Sequence, residues 1–192
     1  MLPLLLASSS VYRRDLLSRL RLPFTCSSPD INESHRPDES ATDLVKRLSL
    51  EKAQALAASH PNHLIIGSDQ VAVLGGKIIG KPHTFDNAHQ QLLNASGASV
   101  SFLTGLTLLN SQTGHYQTDC IPFTVHMRCL TPEQIERYLL AEQPYDCAGS
   151  FKAEGLGVSL FQRTEGDDAT SLVGLPLIRL VDMLTAEGIA IP

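Results

Sequence analysis

Asp69 follows the apolar run 63–66 and sits in Gly67-Ser68-Asp69-Gln70. A carboxylate at the carboxyl end of a buried strand lies where ligands of open α/β sheets bind, and there it can accept a proton or hold a metal. Aspartate after a strand is also a common turn former, so position alone does not separate the two roles. Three basic side chains have comparable settings: Arg13 in Ser8-Ser9-Ser10-Val11-Tyr12-Arg13-Arg14, Lys52 in Glu51-Lys52-Ala53, and Lys81 in Gly80-Lys81-Pro82. A serine-rich strand-to-helix turn presents backbone N–H groups and the positive end of a helix dipole to an anion, and Arg13 can add a bidentate phosphate contact. The same serines are good helix caps, and each lysine taken alone reads as a solvated surface residue. No Gly-x-x-x-x-Gly-Lys pattern occurs, which excludes a P-loop.

The hydrophobic pattern predicts the elements that must carry these groups. Residues 2–7 read as a buried strand, followed by the serine turn and a helix with Leu16, Leu17 and Leu20 on one face. A second strand is expected over 24–28, then a polar loop over 29–40, then a helix from the Ser40 cap to about residue 59. The run 63–66 reads as a central strand ending at Gly67, and residues 71–74 and 77–79 read as a hairpin around Gly75-Gly76. A helix over 84–96 and strands over 100–109 and 117–129 follow. Thr131-Pro132-Glu133-Gln134 combines an N-cap, an N1 proline and a capping-box glutamine, so a helix starts there and runs to about residue 142. Residues 144–157 read as irregular, 158–163 as a strand, 165–168 as a turn, and 175–187 as a closing helix capped by Gly188. The sum is one α/β domain over residues 1–192, with a mixed, twisted sheet flanked by helices.

Composition sets the outer bounds. The 192 residues are 43% hydrophobic and 18% charged, enough apolar surface to exclude a disordered chain. With 15 Lys+Arg against 20 Asp+Glu the net charge is −5, which argues against coating duplex nucleic acid and confines any phosphate site to a local basic cluster. Cys26, Cys120, Cys129 and Cys147 match neither a CxxC pair nor a zinc pattern and read as reduced thiols. The opening apolar stretch lacks the basic residues and length of a signal peptide, and no run reaches the ~18 apolar residues of a membrane span, so a cytoplasmic protein is expected. A homodimer is compatible with a chain of this size, symmetric dimers being the commonest oligomers, although no residue pattern carries it.

Taken in order, these motifs resemble the Maf family (septum-formation-inhibitor-like) of nucleotide pyrophosphatases. That family's Leu-Ala-Ser-x-Ser-Pro-Arg-Arg is matched by Leu6-Ala7-Ser8-Ser9-Ser10-Val11-Tyr12-Arg13. The resemblance continues through Glu51-Lys52-Ala53, Gly67-Ser68-Asp69-Gln70-Val71, Gly80-Lys81-Pro82, Leu103-Thr104-Gly105, Tyr145-Asp146-Cys147-Ala148-Gly149 and Val173-Gly174-Leu175-Pro176. It implies an inosine-triphosphatase-like fold and hydrolysis of a nucleoside triphosphate between its α and β phosphates, with a divalent cation, Mg²⁺ or Mn²⁺. Asp69 matches the family's catalytic aspartate, as general base or as metal ligand. Ser8, Ser10, Arg13, Lys52 and Lys81 would bind the triphosphate, and Glu33 in the acidic loop is a second metal-ligand candidate.

Two departures bear on the base. The branch of the family acting on dTTP and UTP has Arg in place of Tyr12 and Gln in place of Glu154, whereas Gln70 and Ala148–Gly155 resemble the branch that hydrolyses 7-methyl-GTP. Methylation at N7 makes guanine cationic, which suits the aromatic face of Tyr12. Guanine's Watson–Crick edge offers N–H donors to a carboxylate such as Glu154, while the O4 of uracil or thymine repels one. Tyr12, Gln70 and Glu154 are therefore the expected specificity residues. A pyrimidine-triphosphate pyrophosphatase of the same family and a nucleotide-binding regulator of cell division without turnover are the competing readings.

Overall fold

In the computed structural model, which describes residues 2–192, strand β1 (Leu4–Ala7) is buried throughout. Its side chains divide by parity: Leu4 and Leu6 enter one apolar cluster, Leu5 and Ala7 another. That is the two-residue repeat of a strand covered on both faces. Helix α1 (Val11–Ser18) gives Leu16 and Leu17 to the first cluster, and helix α6 (Leu177–Ala186) gives Leu177, Leu180, Met183 and Leu184. Helix α2 (Ala41–Ala57) covers the other face with Ala53 and Leu56.

The remaining strands are β2 (Phe24–Ser27), β3 (Leu64–Leu74), β4 (Lys77–Ile79), β5 (Ser99–Asn110), β6 (Tyr116–Met127) and β7 (Phe161–Glu165). They hydrogen-bond in the order β2-β1-β3-β5-β6-β7, with β4 on β3. β1 is parallel to β2 and β3, while β4 and β7 are antiparallel to β3 and β6, so the sheet is mixed and the fold is α/β as expected. The chain forms two compact units: Met1–Gln70, Thr104–Ile121 and Asp168–Pro192 make one, and Val71–Leu103 and Pro122–Asp167 the other. The first holds both clusters described above. The second holds helices α3 (Phe85–Ala95) and α4 (Pro132–Glu142), which pack together. Within it Phe151 meets Phe102 and Phe161 edge-on, with centroids 5.2 and 4.8 Å apart.

Helix starts follow their caps. Ser10 and Ser40 accept from the N–H three residues on, and Thr131 with Gln134 forms a complete capping box. Three expectations need correction. β3 does not end at residue 66 but runs to Leu74, so Asp69 lies inside a strand rather than at its carboxyl end. Gly67 has a different purpose: a Cβ there would lie 2.0 Å from the Ser49 carbonyl oxygen of α2, so the glycine lets helix and strand approach. The last strand starts at Phe161 rather than 158, because Leu156–Leu160 closes a 3₁₀ turn first. A short helix α5 (Ala169–Val173), which the pattern did not reveal, is capped by Asp168.

Candidate active site

The buried face of α2 runs through Leu44, Val45, Leu48, Ser49, Lys52, Ala53 and Leu56. Lys52 thus occupies a core position, four residues after Leu48 and four before Leu56, and is not the surface lysine its tripeptide suggests. Its Nζ lies 2.7 Å from Asp69 Oδ1 and 3.0 Å from Glu33 Oε1. The Lys52 and Asp69 side chains are 8% and 10% exposed, whereas that of Glu33 is 60% exposed. An ammonium this withdrawn from water needs its counter-ion, and removing one partner of such a pair typically costs about 3–5 kcal/mol.

Arg13, on α1, lies within the electrostatic influence of the same carboxylates. Burial pushes its guanidinium pKa down, and the negative charges of Asp69 and Glu33 pull it back up. Its Nε donates to the Gly174 carbonyl at 2.9 Å, so the Nη groups remain as the end able to meet an anion. Gly174 closes α5 with φ of 113°, a backbone conformation glycine adopts without strain. The same carbonyl accepts from Ser68 Oγ at 2.9 Å, so one atom steadies both Arg13 and the strand residue before Asp69.

The serine turn serves both as cap and as donor array. Ser8 Oγ accepts from the Ser10 N–H at 3.1 Å and Ser10 Oγ from the Arg13 N–H at 3.4 Å, which leaves each hydroxyl proton to be donated elsewhere. Gln70 Nε2 donates to the carbonyls of Ser171 and Leu172 at 2.7 and 3.1 Å and to Thr104 Oγ1 at 3.0 Å. Two carbonyl partners fix the amide orientation, so Oε1 is the Gln70 atom available to accept a hydrogen bond. Tyr12 is half-buried on α1.

Ser8, Ser10, Tyr12, Arg13, Glu33, Lys52, Asp69 and Gln70 all belong to the first unit. Lys81 and Glu154 belong to the second, and both are exposed there. The turn bearing Lys81 is held by His83 N–H donating to the Tyr145 carbonyl and by Asn87 Nδ2 donating to that of Pro82, at 2.9 and 3.0 Å. The turn bearing Glu154 is held by α4: the Tyr138 hydroxyl accepts from Lys152 N–H at 3.0 Å, and Glu142 Oε2 accepts from Leu156 N–H at 2.8 Å. Nearby, burial and the Asp146 charge push the Cys147 thiol up to about 12, so it is no nucleophile at neutral pH.

The segment 168–176 is a supporting frame that no local sequence pattern marks as such. Asp168 accepts from the N–H groups of Thr170 and Ile178, tying α5 to α6, and Thr104 donates to the Ser171 carbonyl. An Asp ahead of a short apolar stretch is a helix-start signal, and Val173-Gly174 was visible as a motif, but neither indicates which side chain the carbonyl receives. For a cation the first unit offers two carboxylates, Asp69 and Glu33; among the described residues no group of three or more His, Cys, Asp or Glu side chains converges. No described helix is long and apolar enough to cross a membrane.

Comparison with known proteins identifies relatives of the whole chain. The chain is 80% identical over 192 residues, all of both chains, to a protein of Pseudomonas fluorescens (strain Pf0-1) named 7-methyl-GTP pyrophosphatase. It is 60% identical over 98% of its length to one of the same name from Alcanivorax borkumensis, covering 96% of that protein. Among solved structures it is similar to the Staphylococcus aureus Ham1 protein at 12% identity, with a TM-score of 0.48, covering 65% of this chain and 71% of that one. The family described as Maf-like protein matches residues 3–187, and the chain belongs to that family.

Proposed function

We propose that this chain, acting as one domain over residues 1–192, hydrolyses 7-methyl-GTP to 7-methyl-GMP and pyrophosphate. The observation that carries the reading is the buried Lys52–Asp69 pair with Arg13 beside it, in a chain so similar along its whole length to pyrophosphatases of that name. Lys52 takes Asp69 Oδ1, so Oδ2 is the oxygen that orients a water and accepts its proton. The water oxygen bonds to the α phosphorus as the bond to the α–β bridging oxygen breaks, and pyrophosphate leaves with that electron pair. Arg13, Lys52 and Lys81 balance the triphosphate charge, and the Ser8 and Ser10 hydroxyls donate to its oxygens.

Asp69 and Glu33 suit a divalent cation such as Mg²⁺ or Mn²⁺, because Mg²⁺ commonly takes one or two carboxylates together with substrate phosphates. When bound, the ion supplies Lewis-acid polarisation of phosphoryl oxygens. Base choice rests on Tyr12, whose ring attracts the cationic 7-methylguanine, on Gln70 Oε1, and on the Glu154 carboxylate, which accept N–H groups of the guanine edge. Four cysteines outside any disulfide suit a cytoplasmic enzyme acting on a small-molecule nucleotide.

Tyr12→Arg and Glu154→Gln, which install the residues of the branch acting on dTTP and UTP, test the assignment. The ratio of kcat/KM for 7-methyl-GTP over UTP should fall at least about tenfold in the double variant. An unchanged ratio removes these residues from base recognition.

A further inference from the structure

Glu33 stands on the irregular segment 28–40 between β2 and α2. A segment of that length samples many conformations unless something fixes it. The Glu33–Lys52 contact is a weak hold by itself, because the Glu33 side chain is 60% exposed and water competes for its charge. Arg47, one and a half turns before Lys52 on α2, supplies the missing hold. Its Nε and Nη2 donate to the two oxygens of Glu39 at 2.5 and 2.8 Å, and Nη2 also donates to the Ser34 carbonyl at 3.1 Å, one residue from Glu33. Its Nη1 donates to Glu51 at 3.0 Å, and Glu51 receives Arg36 from the same segment, also at 3.0 Å. Glu39 accepts the Arg36 N–H at 3.1 Å as well, which closes the segment on itself.

This is no ordinary surface ion pair. The Arg47 and Glu39 side chains are 12% and 8% exposed, and the contact is a two-pronged fork. Hydrogen bonding to Arg47 holds the Glu39 carboxyl down at about 2, well below its ordinary range. We propose that Arg47 is a positioning residue, which clamps Ser34 and Glu39 to α2 and thereby sets Glu33 against Lys52. The inference rests on the reading that Glu33 takes part in the reaction.

A double-mutant cycle on 7-methyl-GTP hydrolysis tests it, with hydrogen exchange of the amides of residues 30–39 measured alongside. Arg47→Ala should lower kcat/KM about tenfold in the wild-type background but less than about twofold in a Glu33→Gln background, because its effect passes through Glu33. Exchange over 30–39 should accelerate in Arg47→Ala while amides of β1 and β3 keep their protection. Glu39→Gln, which keeps the side-chain shape and loses the charge, should show the same pattern and serves if Arg47→Ala does not fold. Equal losses in both backgrounds overturn the proposal and leave Glu33 in place. A fully active Glu33→Gln enzyme overturns the reading of Glu33 and the proposal with it.

Discussion

Lys52 shows what a single residue can hide. Its charge suggests solvent, and only its spacing from Leu48 and Leu56 places it on the buried stripe of α2, where Asp69 and Glu33 meet it. Asp69 was recognisable from its neighbours, but the atom that Lys52 occupies depends on packing between an element at residue 52 and another at residue 69. Glu39 gave no sequence signal at all, because its partner lies eight residues on, across a helix boundary. Its titration makes a prediction at this scale. A folded carboxyl held near 2, below the ordinary 4.5, stabilises the folded chain above pH ~4.5 and loses that contribution as pH falls toward 2. Wild type should therefore melt above Glu39→Gln at pH 5–7, and the two melting curves should converge as pH falls from ~4.5 to ~2. A gap in Tm that is constant over that range would contradict the fork.

Elements were largely legible where local chemistry decides them. Ser10, Ser40 and the Thr131–Gln134 box start helices where their hydrogen-bonding capacity predicts. The reading failed where tertiary contact decides. Gly67 looks like a strand terminus, yet it is the point at which β3 passes against the Ser49 carbonyl of α2. α5 is too short to show a period, and its identity comes from Asp168 bonding to both α5 and α6. Gly67→Ala should accordingly cost about 3 kcal/mol, the upper range for forcing a group into a packed interior. That corresponds to a Tm lowered by roughly 6–12 °C for a chain of this size. Gly80→Ala, where a Cβ meets nothing within 4 Å, is the control and should leave Tm nearly unchanged. Equal effects at the two positions would contradict the close approach of β3 to α2.

At the scale of the whole molecule, the sequence indicated an α/β chain and an ordered set of motifs but not the strand order or which motifs share a unit. Arg13 and Gly174 are separated by 161 residues and joined by one hydrogen bond, and no periodicity encodes such a pairing. The first unit draws on three separate stretches of chain and gathers most of the charged groups assigned to the reaction, while Lys81 and Glu154 belong to the second. The central claim is that the chain splits 7-methyl-GTP between its α and β phosphates with Asp69 as the residue acting on water. The most direct measurement is hydrolysis of 7-methyl-GTP in H₂¹⁸O with Mg²⁺, comparing wild type with Asp69→Asn and running GTP, UTP and dTTP in parallel. The account predicts equimolar 7-methyl-GMP and pyrophosphate with ¹⁸O in the monophosphate, a preference for 7-methyl-GTP, and a rate at least about 10²-fold lower in Asp69→Asn. Release of inorganic phosphate, ¹⁸O in pyrophosphate, or an Asp69→Asn rate equal to wild type would contradict it.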